Sequence, residues 1–174
     1  TYLKLFENYP VDGIVLIATV ITGEHKKFLK ESKVPVVVVG QYTRYANCIY
    51  HDDYGAGKAM GKVAAAAAKD KGRIAYIGVT REDKAVGTAR EEGFRAGLKS
   101  QGAELEEEYV RKSQFTMESG YEAALDLLEK KKDIAVLSCA TDTIAAGAIE
   151  AILACSRKKI PREIQDSGTR MEYA

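Results

Sequence analysis

The chain has 174 residues, with 26 basic and 25 acidic side chains and a formal net charge of +1. Such a balance argues against this segment holding a nucleic-acid backbone by itself, because phosphate binding requires a concentrated positive field. Three widely spaced cysteines and two histidines argue against a disulfide framework and a structural zinc site, and they favour a reducing, cytoplasmic compartment. The sequence also has no apolar run of the length that a membrane span requires.

Short apolar runs alternate with helical patterns along the chain. Five runs rich in β-branched residues predict strands of a parallel sheet covered on both faces, at 14–17, 36–39, 48–50, 74–77 and 134–137. Apolar residues at helical spacing predict helices over 60–67, 121–128 and 145–152, with a weaker pattern over 85–100. The alternation predicts an α/β fold. The alanine-rich stretch 63–72 is typical of a helix end, with Gly72 at the C′ position and a lobe boundary beside it.

The glycine-rich stretch "HDDYGAGKAMG" (51–61) first suggests a phosphate loop. Its glycines at 55, 57 and 61 miss the dinucleotide spacing by one residue, and no acidic residue follows a second strand as that motif requires. The P-loop spacing is not met either, because Ala59 follows Lys58 where Ser or Thr is needed. The stretch therefore indicates a strand end and a helix start, with Asp53 as the expected N-cap.

Polar residues follow three predicted strands at their carboxyl ends, where ligands bind in open α/β sheets. These are Gln41, Asp53 and the pair Thr141–Asp142. Carboxylate, amide and hydroxyl groups in such a place suit a sugar. Catalysis is not favoured, because Cys48 and His51 would face opposite sides of a strand and no G-x-S-x-G motif is present.

Seven segments, in order, resemble the effector-binding domain of LacI/GalR-family transcription regulators. They are "VDGIVL" (11–16), "PVVVVG" (35–40), "HDDYGAG" (51–57), "RIAYIGV" (73–79), "AREEGFRAGL" (89–98), "TMESGYEAA" (116–124) and "CATDTIAAGAIEAI" (139–152). The segments "YHDDYGAGK", "GVTREDKAVGTAR" and "CATDT" are most similar to the branch of trehalose- and sucrose-operon repressors.

The resemblance implies a two-lobed α/β fold of the periplasmic-binding-protein type with parallel sheets, in which 1–71 belong to the N-terminal lobe and 72–174 form the C-terminal lobe. It implies a homodimer that binds a small sugar or sugar phosphate without a cofactor. Operator DNA is then bound through a helix-turn-helix segment absent from this sequence. The family's first strand and helix are also expected to be missing. At the other end, "IPREIQDSGTRMEYA" (160–174) departs from the family pattern, which puts the C-terminal ligand contacts in doubt.

Five residues match ligand-binding positions of the family: Asp53, Arg90, Phe115, Thr141 and Asp142. Each also has a structural alternative: a helix N-cap for Asp53 and Asp142, a surface ion pair with Glu91 or Asp83 for Arg90, and a core position for Phe115. Arg81 and Lys84 lie in the same segment as further possible phosphate partners.

Two other functions remain open at this stage. A periplasmic sugar-binding protein of a transporter would share the fold, although three unpaired cysteines argue against an oxidising compartment. An enzyme that uses a nucleotide or dinucleotide is the third, and the glycine spacing argues against it. We expect a regulator rather than an enzyme, with no catalytic residue and no metal.

Overall fold

The computed structural model describes residues 11–18 and 20–158, so the divergent segment 160–174 lies outside the described residues. In chain order the elements are β1 (Ile14–Ile17), α1 (Gly23–Glu31), β2 (Val36–Val39), β3 (Asn47–Ile49), α2 (Asp53–Ala68), β4 (Arg73–Gly78), a π-helix (Lys84–Ala89), α3 (Arg90–Lys99), a 3-10 helix (Glu107–Tyr109), β5 (Val110–Lys112), α4 (Met117–Lys130), β6 (Ile134–Cys139) and α5 (Asp142–Lys158).

The described residues group into two compact units. The first comprises the described residues up to Ala66 together with Val79–Glu104, and the second comprises Ala67–Gly78 together with those from Leu105 onward. The chain thus leaves the first unit, contributes β4 to the second and returns. The sequence division at Gly72 assigned everything after it to one lobe, whereas the π-helix and α3 group with the first unit.

The first unit contains a parallel sheet in the order β1-β2-β3. One face of this sheet forms a hydrophobic core with α1, made of Ile14, Leu16, Leu29, Val36 and Val38. Val15 and Ile17 point to the other face, and their side chains are 68% and 78% exposed. The prediction that both faces are covered is therefore wrong for β1, because alternate residues of a strand face opposite sides.

The second unit contains a parallel sheet in the order β5-β4-β6. The central strand β4 is buried on both faces, and its Ala75 and Ile77 have no exposed surface. Here the prediction of a fully covered strand is confirmed. Helices α4 and α5 are in close contact, because Gly120 and Gly147 leave room for the facing backbone: a Cβ at Gly147 would lie 2.0 Å from the carbonyl oxygen of Met117.

Two local predictions need correction. Helix α2 ends at Ala68, and Asp70 rather than Gly72 takes the first left-handed conformation after it, with φ of 58°. Gly72 meets a different need, since a Cβ there would lie 2.3 Å from the carbonyl oxygen of Asp133 beside β6. The weak helical pattern over 85–100 is helical in the structure, but its first turn and a half is the π-helix.

Candidate functional site

Asp53 and Arg90, which are 37 residues apart in sequence, form an ion pair in the first unit. Arg90 Nε donates a hydrogen bond to Asp53 Oδ1 at 3.0 Å, and Arg90 Nη2 donates to the same oxygen. The Asp53 side chain is 7% exposed and that of Arg90 is 29% exposed. The structure thus brings together two of the five predicted site residues, with the guanidinium reaching solvent.

Asp52, and not Asp53, is the N-cap of α2. The Gly55 amide donates to Asp52 Oδ1 at 2.8 Å, and the Ala56 amide donates to the Asp52 carbonyl at 2.9 Å. A Cβ at Gly55 would lie 2.2 Å from Asp52 Oδ2, so glycine is needed for this cap. The prediction that Asp53 caps the helix is therefore wrong. Because its neighbour performs the capping, the Asp53 carboxylate is directed to Arg90 instead.

Glycines allow α2 and α3 to approach closely enough for this pair to form. A Cβ at Gly57 would lie 2.1 Å from the carbonyl oxygen of Arg90, and one at Gly61 would lie 2.2 Å from that of Phe94. On the facing helix, Gly93 and Gly97 make equally close approaches to α2. Each helix carries its two glycines four residues apart, which is a sequence signal for close helix contact that we did not use in the prediction.

The segment before Arg90 is held by its own capping contacts. Asp83 is 2% exposed, and its Oδ1 accepts hydrogen bonds from the Ala85 amide at 3.0 Å and the Val86 amide at 2.8 Å. A Cβ at Gly87 would lie 1.8 Å from the carbonyl oxygen of Thr80, so the π-helix is pressed against the preceding turn. Arg90 follows at once as the first residue of α3, and π-helical turns occur frequently at functional sites.

The charged neighbours of Arg90 have roles of their own. Asp83 caps the π-helix, and Glu91 accepts hydrogen bonds from Arg95 at 3.2 and 3.3 Å. Arg81 pairs with Glu92 at 3.0 Å on the surface. The expected alternative, in which Arg90 is an ordinary surface arginine, does not describe a guanidinium that meets a buried carboxylate.

The other predicted site residues lie in the second unit. Phe115, between β5 and α4, is 43% exposed, so the alternative that assigned it to the core is wrong. Thr141 Oγ1 accepts from the Ile144 amide at 3.4 Å and therefore caps α5. Asp142 is the first residue of that helix and is exposed, so the expected N-cap role belongs to Thr141 instead.

Cys139, at the carboxyl end of β6, is a poor candidate for a nucleophile. Burial raises the pKa of its thiol to about 11, so the thiol is protonated near neutral pH. Within residues 11–18 and 20–158, no group of three or more His, Cys, Asp or Glu side chains is placed to hold a metal ion. None of the described helices has the length and apolar character of a membrane span.

Comparisons with known proteins agree with the resemblance. The family of periplasmic binding proteins and sugar-binding domains of the LacI family matches residues 1–171. The sucrose operon repressor of Staphylococcus xylosus is 34% identical over 143 residues, which cover 82% of this chain and 43% of the repressor. The chain spans less than half the length of the curated relatives that it matches.

Solved structures show the same architecture. The transcription regulator CcpA of Lactococcus lactis has a TM-score of 0.74 at 26% identity, with 89% of this chain and 56% of CcpA covered. A sugar transporter from Clostridium phytofermentans has a TM-score of 0.78 at 24% identity, with 89% of this chain and 58% of that chain covered, and this similarity establishes the fold alone. The predicted periplasmic-binding-protein-like α/β fold with parallel sheets is confirmed. This chain belongs to the family of periplasmic binding proteins and sugar-binding domains of LacI-type regulators.

Proposed function

We propose that this chain is the effector-binding part of a cytoplasmic LacI-type transcription regulator, most probably in the literal sense of its relatives a repressor, that binds a small sugar or sugar phosphate. The observation that carries the proposal is the Asp53–Arg90 pair. Its carboxylate accepts hydrogen bonds and its guanidinium donates them in a planar fork, which suits two neighbouring hydroxyls or a phosphate group.

The pair is prepared for a ligand before one binds. Asp53 holds the guanidinium in one orientation, and Asp52, Gly57 and the π-helix fix the backbone on both sides of the pair. A side chain that is already ordered loses less conformational freedom on binding. This arrangement therefore favours recognition of a polar small molecule.

Phe115, Thr141 and Asp142 are proposed as ligand contacts contributed by the second unit. The exposed ring of Phe115 offers an apolar surface to a sugar ring, and the exposed carboxylate of Asp142 accepts hydrogen bonds from hydroxyls. The hydroxyl of Thr141 already caps α5, so its contribution would be shared with the helix.

Control of operator DNA is proposed to act through a homodimer with a helix-turn-helix segment outside this sequence. The relatives named as operon repressors support this function, and dimeric regulators read two half-sites about one helical turn apart or multiples of it. A change in dimer geometry on sugar binding would disturb that spacing. The three free cysteines support the cytoplasmic compartment.

A sugar-binding protein of a transporter is the second candidate, because it would have the same fold. The most similar curated relatives are named as transcription regulators, which favours the first candidate. A nucleotide-using enzyme is disfavoured, since the glycines of "YGAGKAMG" serve a helix cap and a helix contact.

A thermal-shift panel on the full-length protein tests the proposal. The panel contains sucrose, trehalose and cellobiose, their 6-phosphates, and NAD and ATP as controls. A sugar at a hundred times its dissociation constant should add about 2.7 kcal/mol of stability, which is a readily measured rise in melting temperature. The same sugar should change the affinity for operator DNA. A shift with NAD or ATP and with no sugar or sugar phosphate would contradict the proposal.

A further inference from the structure

Gln41 lies at the carboxyl end of β2, the central strand of the first unit's sheet, and it is 5% exposed. Its Nε2 atom is buried without a hydrogen-bond partner among the described residues. Removing an amide from water without a replacement partner is costly, so buried polar groups in native proteins are nearly always paired. The unpaired amide therefore calls for a specific explanation.

Other buried polar side chains of this unit are paired. Asp53 meets Arg90, Asp83 accepts from two backbone amides, and Glu91 accepts from Arg95. Thr43, two residues beyond Gln41, accepts a hydrogen bond from the Tyr45 amide at 3.4 Å. The unpaired amide is thus not a general feature of loosely packed polar groups in this unit.

The backbone on the sheet side of Gln41 is well fixed. The Gly40 amide donates to the Ile49 carbonyl at 2.9 Å, and the Ala18 amide donates to the Val39 carbonyl at 3.2 Å. Gly40 has a φ of 99°, a conformation that favours glycine, and this turns the chain as it leaves β2. Gln41 is therefore presented from a rigid position rather than from a free loop.

The position of Gln41 relates it to the candidate site. Strands β2 and β3 are parallel neighbours, with Val39 paired to Ile49, so their carboxyl ends lie at the same edge of the sheet. Gln41 follows one strand by two residues, and Asp53 follows the other by four. Ligands of open α/β sheets bind at this edge.

We propose that Gln41 is a further effector contact, whose amide donates a hydrogen bond to a hydroxyl oxygen of the bound sugar. This inference rests on the proposed function and assigns to the same site a neutral donor beside the charged pair. A neutral amide discriminates between hydroxyl patterns of similar sugars, because a sugar without the matching hydroxyl would leave the amide buried and unpaired.

The substitution Gln41→Met tests the inference in the full-length protein, since methionine has nearly the same length and no hydrogen-bonding amide. Gln101→Met is the matched control, because Gln101 is an exposed glutamine of the same unit whose amide contacts the neighbouring Ser100 carbonyl at 3.3 Å. The melting temperature without sugar and the dissociation constants for sucrose, trehalose and cellobiose are measured for all three proteins.

We expect Gln41→Met to melt at or above the wild-type temperature without sugar, because an unpaired buried amide is removed. We expect its sugar dissociation constant to rise roughly three- to tenfold, which is the effect of one lost neutral hydrogen bond, while Gln101→Met keeps the wild-type value. A lowered melting temperature with unchanged sugar affinity would overturn the inference, since it would assign the amide to a structural contact or a buried water.

Singly deoxygenated forms of the sugar that binds resolve a mixed result. Removal of the hydroxyl that Gln41 contacts should weaken binding to wild type and have a much smaller effect on Gln41→Met. Additive losses for every hydroxyl would overturn the contact. A wild-type protein that binds none of the sugars or sugar phosphates would overturn the proposed function itself, and the inference with it.

Discussion

Single residues decide the character of the candidate site, and Arg90 is the clearest case. Its partner Asp53 is almost completely buried, so loss of the guanidinium would leave a carboxylate without compensation. Breaking a buried pair in this way costs roughly 3–5 kcal/mol in other proteins. Truncation of Arg90 would therefore mix a loss of stability with any loss of binding, and a variant that keeps the positive charge is the better probe.

For Arg90→Lys we expect the sugar dissociation constant of the full-length protein to rise roughly tenfold or more. Lysine retains the charge beside Asp53 but lacks the planar fork that grips two oxygens at once. Arg95→Lys is the matched control, because the Arg95 side chain is equally exposed, at 29%, and also pairs with a buried carboxylate on the same unit. Titration calorimetry measures both. Equal affinity of the two variants would remove Arg90 from the site.

At the level of elements, the contact between α2 and α3 holds the two halves of the ion pair. Gly57 and Gly61 on one helix face Gly93 and Gly97 on the other, and the backbones approach to distances that no Cβ tolerates. The glycines that suggested a phosphate loop thus have a packing function. They let the backbone of Arg90 lie directly against the helix that begins at Asp53.

Gly61→Ala should destabilise the protein, because its Cβ would lie 2.2 Å from a backbone carbonyl and the helices would have to separate. We expect a loss of roughly 1–3 kcal/mol from overpacking, which exceeds the gain of about 1 kcal/mol from the better helix propensity of alanine. Chemical denaturation measures the change.

The control for this variant is Gly23→Ala in α1. No heavy atom lies within 4 Å of the Cβ that would be added there. We expect a change within about 0.5 kcal/mol. A Gly61→Ala protein as stable as Gly23→Ala would contradict the close contact between α2 and α3.

At the level of the whole molecule, the proposed regulation couples sugar binding to operator binding in a full-length homodimer. Coupling between two sites is reciprocal, so the factor by which the sugar changes operator affinity must equal the factor by which operator DNA changes sugar affinity. Typical coupling of 1–3 kcal/mol corresponds to about 5- to 150-fold.

We expect light scattering to give twice the monomer mass for the full-length protein, and both titrations to give the same factor at one salt concentration. Salt must be held constant, because protein–DNA affinity depends steeply on it. A monomeric protein, or operator binding that no effector sugar alters, would contradict the proposed regulation.

Local pattern was sufficient for much of the fold. Strands β1 and β2 were predicted with their observed bounds, and the helices α2, α4 and α5 carry clear apolar periodicity. Helix α1 was not predicted, because one described residue of it, Leu29, is buried and the rest is largely charged. Strand β5 was also missed, since its three residues are only partly buried and too few to form a pattern.

The site shows where local pattern ends. The resemblance supplied Asp53 and Arg90 as separate candidates, and the polar residues at strand ends supplied Gln41. The capping of α2 by Asp52, the salt bridge across 37 positions and the unpaired amide of Gln41 all depend on which backbones meet. Such contacts join residues distant in sequence, and their partners are selected by packing geometry, to which neither composition nor periodicity is sensitive.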